Sequence, residues 1–211
     1  RMSKMRQPYG IANRYSGWKQ GQSILGMQWI SQVQTNKAPF PPQDIMKNIS
    51  TYHKDEKVKR LFMASSFADT KDIFMQFTQG EAKGKTVTFI PTASIHEQIN
   101  FYVDAARKSF IEMGVKIDNL EISTAMPSEI LDKLEKNDYI YVSGGNTFFL
   151  LQELQRTGAD KIISRQIEAG KLYIGESAGA IVLAPDIDYI KTMDDISAAP
   201  GLTSLSSLAL V

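Results

Sequence analysis

Cysteine is absent from this 211-residue chain, and histidine occurs only twice. The first absence excludes disulfides, thiolate metal sites and a cysteine nucleophile. The second leaves no set of histidines for a metal centre and few candidates for a general base. No metal and no cofactor is therefore expected. Runs of 18 or more apolar residues are also missing, so no membrane-spanning helix is expected. The opening residues lack the apolar core and small-residue cleavage pattern of a secretory signal, which points to a cytoplasmic location. What is there is ordinary: 43% hydrophobic and 22% charged residues, the balance of a soluble globular protein. The length suits one domain, or one domain with an appendage, and suffices to bury a core.

The net charge of +1 conceals an asymmetry. Residues 1–58 carry nine Lys or Arg against three Asp or Glu, whereas residues 59–211 carry fifteen against twenty. The first stretch is also rich in Gln, holds both Trp18 and Trp29, and contains the run Pro39, Phe40, Pro41, Pro42. Two short helices are predicted within it, one over 22–34 and one after Pro42. Basic residues interleaved with Tyr9, Tyr15 and Trp18 hint at nucleic acid. The excess is modest and no binding motif accompanies it, so residues 1–58 read as a basic N-terminal extension of unassigned role, with no nucleic-acid partner.

From Val58 the pattern changes to short apolar runs alternating with amphipathic stretches. Strands are predicted at 58–64, 86–90, 115–122, 139–142 and 172–174. Helices are predicted over 69–79, from Ser94 through Met113, and over 128–135, 147–156 and 160–168. Ser94 reads as an N-cap, with Glu97 three residues on. Five apolar strands alternating with helices argue an α/β domain: a doubly wound parallel sheet with helices on both faces. In such sheets, ligands bind beyond the carboxyl ends of the strands. Three small, polar loops are expected there: 91–94, 143–147 and 175–180.

The third of these spells Gly175, Glu176, Ser177, Ala178, Gly179, the G-x-S-x-G pattern, after an apolar strand and before an apolar helical turn. That context suits a nucleophile elbow, in which a sharp turn lifts the serine hydroxyl above the sheet edge. The second, Ser143, Gly144, Gly145, Asn146, Thr147, lets backbone N–H groups approach the same crevice. Gly145 and Ala178 are the candidate oxyanion-hole donors. Gly144, Asn146, Thr147 and Glu176 are candidate substrate-binding residues, Glu176 as a possible partner of a substrate ammonium group.

Residues 141–148 followed by 175–180, together with Phe89, Ile90, Pro91, Thr92, Ala93 and the opening Arg60, Leu61, Phe62, resemble the peptidase E and cyanophycinase family of serine peptidases, peptidase family S51. The resemblance covers residues 59–211. It implies a sheet like that of class I glutamine amidotransferases, a flavodoxin-like three-layer sandwich, with serine in place of the amidotransferase cysteine. It also implies a hydrolase acting on small peptides, N-terminal aspartyl dipeptides among them. A homodimer is kept open.

In that family a Ser, an acidic residue and a His follow in chain order. Ser177 matches the nucleophile. The segment 190–195 resembles the one carrying the acid; its apolar-basic-Thr start favours Asp195, with Asp194 close behind. The family's His is expected some twenty residues further on, past Val211. No His follows Ser177, and 204–211 reads as the start of another strand, so an incomplete catalytic domain with impaired activity is expected. Of the two histidines present, His96 reads as a solvent-facing residue of a first helical turn, and His53 has no assigned role. Two further readings stand beside the enzyme. One is a noncatalytic binding module or remnant; the other is an α/β-hydrolase-like esterase, which the short domain and the Gly144–Gly145 loop fit less well.

Overall fold

The computed structural model describes residues 58–211. The two predicted N-terminal helices, the basic aromatic stretch and His53 lie outside these residues.

Tyr139–Val142 is apolar at every position and buried at every position. That is the signature of a strand covered on both faces, and it occupies the middle of the sheet as β4. The sheet is five-stranded in the order β1-β5-β4-β2-β3, with β1 Leu61–Ala64, β2 Thr86–Ile90, β3 Lys116–Asn119 and β5 Leu172–Glu176. Every pairing is parallel. Val142 lies opposite both Ile90 and Gly175, and Met63 also faces Gly175. The strands therefore end level with one another, and the loops after β1, β2, β4 and β5 open on one edge.

The helices divide between the two faces. On one, α1 (Lys71–Phe77) and α2 (Phe101–Glu112) pack Phe74, Val103, Ala106 and Phe110 against Phe62, Val87, Phe89, Tyr141 and Ile174. Phe67 stacks on Phe110 there, with centroids 4.4 Å apart. On the other, α3 (Pro127–Lys136), α4 (Thr147–Thr157) and α5 (Ala159–Glu168) contribute Ile130, Leu134, Leu150, Leu154, Ile163 and Ile167, which meet Ile90, Ile140, Val142 and Tyr173. The chain moves outward to β3 with helices on the first face, then returns with helices on the second. The connections from β2 and β4 thus leave toward opposite faces, which opens a crevice between adjacent strands at the edge the loops share.

Three expectations need correction. Ser94 caps no helix: its hydroxyl donates to the Pro91 carbonyl at 2.7 Å, closing a 3₁₀ turn over Thr92–Ser94. The short hydroxyl is satisfied locally, and α2 begins only behind Asn100. The strand predicted over 115–122 is shorter, because its neighbour β2 ends at Ile90; Leu120 and Ile122 turn instead into the core. Residues 204–211 form no strand of the sheet. They run back along the segment after β5, with one antiparallel bridge between Asp186 and Ser206 and bonds such as Leu210 N–H to the Leu183 carbonyl at 2.8 Å. No helix among the described residues is long and apolar enough to cross a membrane.

Candidate active site

All five residues of β5 are buried, yet the next residue, Ser177, is exposed. The chain reverses there with φ 47° and ψ −107° at Ser177. A positive φ on a residue with a Cβ costs about 1–3 kcal/mol and survives only where the surroundings impose it. Here they do. The Ser177 N–H donates to the Ala64 carbonyl at 2.9 Å, and its own carbonyl accepts from Ala180 at 2.8 Å and Ile181 at 3.0 Å. Beneath it Gly179 lies so close to β4 that a Cβ would overlap the Val142 carbonyl. Tyr173 donates its hydroxyl to the Gly179 carbonyl at 2.6 Å. Helix α6 (Ala178–Ile181) follows, so the Ala178 N–H is an orphan donor beside the serine.

The loop after β4 meets this elbow from the side. A Cβ on Gly144 would stand 3.3 Å from Ser177 Cβ and 3.5 Å from Tyr102 Cε2. Gly145 has φ +132°, and a Cβ there would overlap the Ala93 carbonyl. The loops after β2 and β4 are thus in backbone contact, tied by Asn146 N–H to the Ala93 carbonyl at 2.8 Å. Asn146 then caps α4, accepting from Phe149 N–H at 2.9 Å, and donates its amide to the Asp195 carbonyl at 2.9 Å. Thr147 N–H donates to Asp194 Oδ2 at 2.8 Å. The predicted residues Gly144, Gly145, Asn146, Thr147, Ser177 and Ala178 are therefore gathered at one edge, with Asp194 and Asp195 bonded to the loop that carries the first four.

Glu176 is 2% exposed. Its carboxylate turns inward, accepting from Phe67 N–H at 2.9 Å and from the Tyr141 hydroxyl. Burial pushes its carboxyl above the ordinary value, against the pull of those donors. Tyr141 is raised well above its own usual range, by burial first and then by the neighbouring charge of Glu176. The side chain expected to meet a substrate ammonium is thus spent on joining β5 to β4 and to the loop after β1.

The two aspartates differ. Asp194 is half-buried against Thr147; Asp195 is exposed. Asp195 accepts from Ser197 N–H at 2.9 Å and from its hydroxyl at 2.7 Å, capping a 3₁₀ turn over Ile196–Ala198. Those bonds hold its carboxyl below the usual value. His96 is exposed and packs edge-on against Phe149, with centroids 4.4 Å apart. Sequence reading missed Tyr102 as a site residue, since it falls on the apolar face of a predicted helix. Its ring borders Gly144, and its buried hydroxyl has no hydrogen-bond partner among the described residues. Among those residues no group of three or more acidic or His side chains is arranged to hold a metal.

The model of peptidase family S51 matches residues 60–211. The chain belongs to peptidase family S51. Relatives of the chain include Uncharacterized peptidase PM1590 of Pasteurella multocida (strain Pm70), 57% identical over 154 residues that span 73% of this chain and 74% of the relative. Uncharacterized peptidase Lmo0363 of Listeria monocytogenes is 54% identical over 154 residues, spanning 73% of this chain and 75% of the relative. A solved Listeria monocytogenes EGD-e structure that carries a peptidase E name superposes with a TM-score of 0.71 at 55% identity, covering 72% of this chain and 75% of its own. The amidotransferase-like, flavodoxin-like α/β architecture expected from the S51 resemblance is the one observed.

Proposed function

We propose that this S51 peptidase works as a serine peptidase on small peptides, with Ser177 as nucleophile. The observation that carries the reading is the exposed Ser177 at positive φ, set on a turn of buried residues beside two glycine-bearing backbone segments. Ser177 Oγ attacks the scissile carbonyl carbon. The C–N bond breaks, the hydroxyl proton goes to the departing amine, and water then hydrolyses the acyl-serine ester. The Gly145 and Ala178 N–H groups stabilise the oxyanion, a contribution of about 3 kcal/mol per donor in comparable sites. Asn146 and Thr147, both buried, hold the loop that presents Gly144 and Gly145 beside Ser177, and Glu176 fixes the elbow from beneath instead of touching substrate. N-terminal aspartyl dipeptides in the cytoplasm are the proposed substrates.

The acidic member is Asp195 by sequence pattern, while Asp194 is the carboxylate bonded to the site loop. Either has work only if an imidazole stands between it and Ser177. Without an imidazole the serine hydroxyl stays protonated and turnover is slow. Hydrolysis of an aspartyl dipeptide is the deciding measurement. A trace rate that disappears in Ser177→Ala is expected; a rate unchanged by that substitution would remove the serine mechanism. The same peptide binding without any hydrolysis would leave the binding module.

A further inference from the structure

Glu176 directly precedes Ser177, and its side chain reaches two other elements of the site. Oε1 accepts from the Phe67 N–H at 2.9 Å, in the loop after β1. Oε2 accepts from the hydroxyl of Tyr141, two residues before the glycine loop begins. No Lys or Arg among the described residues forms an ion pair with this carboxylate. A buried acid without a cation is uncommon, and here its only direct partners are uncharged donors.

That donor set distinguishes the charged side chain from a neutral one. An ionised carboxylate accepts from an N–H and an O–H at once. A protonated carboxyl, or an amide, brings a donor of its own into the same two contacts. The phenol oxygen is then the one acceptor available, and taking it turns the Tyr141 proton away. Tyr141 packs among the rings of Phe67, Phe89 and Phe110, which offer that proton no oxygen or nitrogen. A neutral side chain therefore weakens the tie between the elbow and β4, and through β4 the tie to the glycine loop.

Stability pulls the other way. Burial first raises the Glu176 carboxyl, and Asp69 from the loop after β1 adds to it, while Tyr141 and the N–H groups of Phe67 and Gly144 oppose them. The other groups facing it are Tyr102 of α2 and, acting on Tyr141, Arg107 of the same helix. Both phenols are held above their usual range, so neither titrates below pH 8. The form of Glu176 that satisfies its local bonds is thus the form that lowers overall stability as pH rises. Such a conflict is expected where a group serves the site more than the fold.

We propose that Glu176 is a positioning residue: its ionised side chain couples the Ser177 elbow to the glycine loop and to the loop after β1, and a proton, or an amide in its place, uncouples them. The effect on reaction rate rests on the reading of Ser177 as nucleophile; the coupling itself does not.

The test compares wild type with Glu176→Gln in the 211-residue chain between pH 5 and pH 8. Three quantities are read: the rate of fluorophosphonate labelling at Ser177, hydrogen exchange of segments 65–70 and 141–148, and melting temperature. At pH 8 the variant is expected to label about tenfold more slowly, the scale of one charge-assisted hydrogen bond. Both segments should exchange faster in it, although it melts within about 3 °C of wild type or above it. Toward pH 5 the differences in labelling and exchange should narrow, as wild type takes up its proton. Tyr141→Phe should also label slowly at pH 8. Equal exchange in wild type and Glu176→Gln at pH 8, a labelling ratio that does not change with pH, or slow labelling accompanied by a much lower melting temperature would each overturn the proposal. Wild type that fails to label at any pH would remove Ser177 as nucleophile, and exchange alone would then decide the coupling.

Discussion

Glu176 and Asp195 are both carboxylates of the same loop system, on either side of Ser177 in the chain, and their surroundings are opposite. Glu176 is buried, bonded to a backbone N–H and a phenol from two other strands or loops, and its carboxyl is raised. Asp195 is exposed, its carboxylate bonded among the described residues only to Ser197 two positions away, and that carboxyl is lowered. The first is held by the whole fold, the second by its own turn. The contrast extends to their neighbourhoods: the Ser177 elbow is pinned where backbones approach too closely for a Cβ, whereas the aspartate segment touches the glycine loop through a few hydrogen bonds. Precision at this edge is concentrated on the Ser177 side.

The strongest challenge to that picture is Gly179→Ala, whose new methyl group would overlap the Val142 carbonyl. We expect a loss of about 3 kcal/mol or more, a fall in melting temperature of roughly 6–12 °C on the usual scaling for this size. A melt within 2–3 °C of wild type would show that the elbow can yield. Next comes Glu176→Ala, which strands the Phe67 N–H and the Tyr141 hydroxyl and should cost about 2 kcal/mol by denaturant titration.

The conservative Glu176→Gln carries a pH signature. A carboxyl raised in the folded state contributes stability that is present below its ordinary value of 4.5 and is lost as pH rises through the folded value. The melting temperature of wild type minus that of Glu176→Gln should therefore fall between pH 4 and pH 8. Asp195 runs the other way: its contribution is present above its ordinary value of 3.8 and is lost as pH falls through the depressed one. Wild type minus Asp195→Asn should shrink only under acid conditions, and the change should be slight because the group is exposed. Profiles of the same sign would break the comparison.

A smaller effect of opposite direction is expected at the serine itself. Ser177→Gly relieves the positive φ, so it should raise stability by about 1 kcal/mol while abolishing fluorophosphonate labelling. Unchanged or lowered stability would mean that the Ser177 side chain contributes packing or hydrogen bonding that outweighs the strain.

Much of the frame was legible in the chain. Strands 86–90 and 139–142 match in their bounds, because short β-branched or apolar runs ended by Pro91 or by a Ser-Gly-Gly turn leave little choice of length. The Ser177 elbow and the glycine loop were legible for a similar reason, since both require glycines at fixed places. The aspartate segment was less so: one pattern favoured Asp195, and only coordinates reveal that Asp194 bonds Thr147. Residues 204–211 read as the start of another strand, but such a run does not say whether a partner edge is available. Glu176 carried one usable signal, a charge at the end of a strand that is otherwise buried, and Tyr102 carried none.

By itself, then, the sequence determined the alternation of elements and the parallel sheet, and it singled out Ser177 and the glycine loop. These follow from composition and local period, which act over a few residues. The tertiary structure decided which way the polar side chains face: Glu176 inward to Phe67 and Tyr141, Asp194 to the glycine loop, Tyr102 against Gly144. Those choices depend on partners contributed by strands and helices distant in the chain, and burial makes each unpaired group costly enough to fix them.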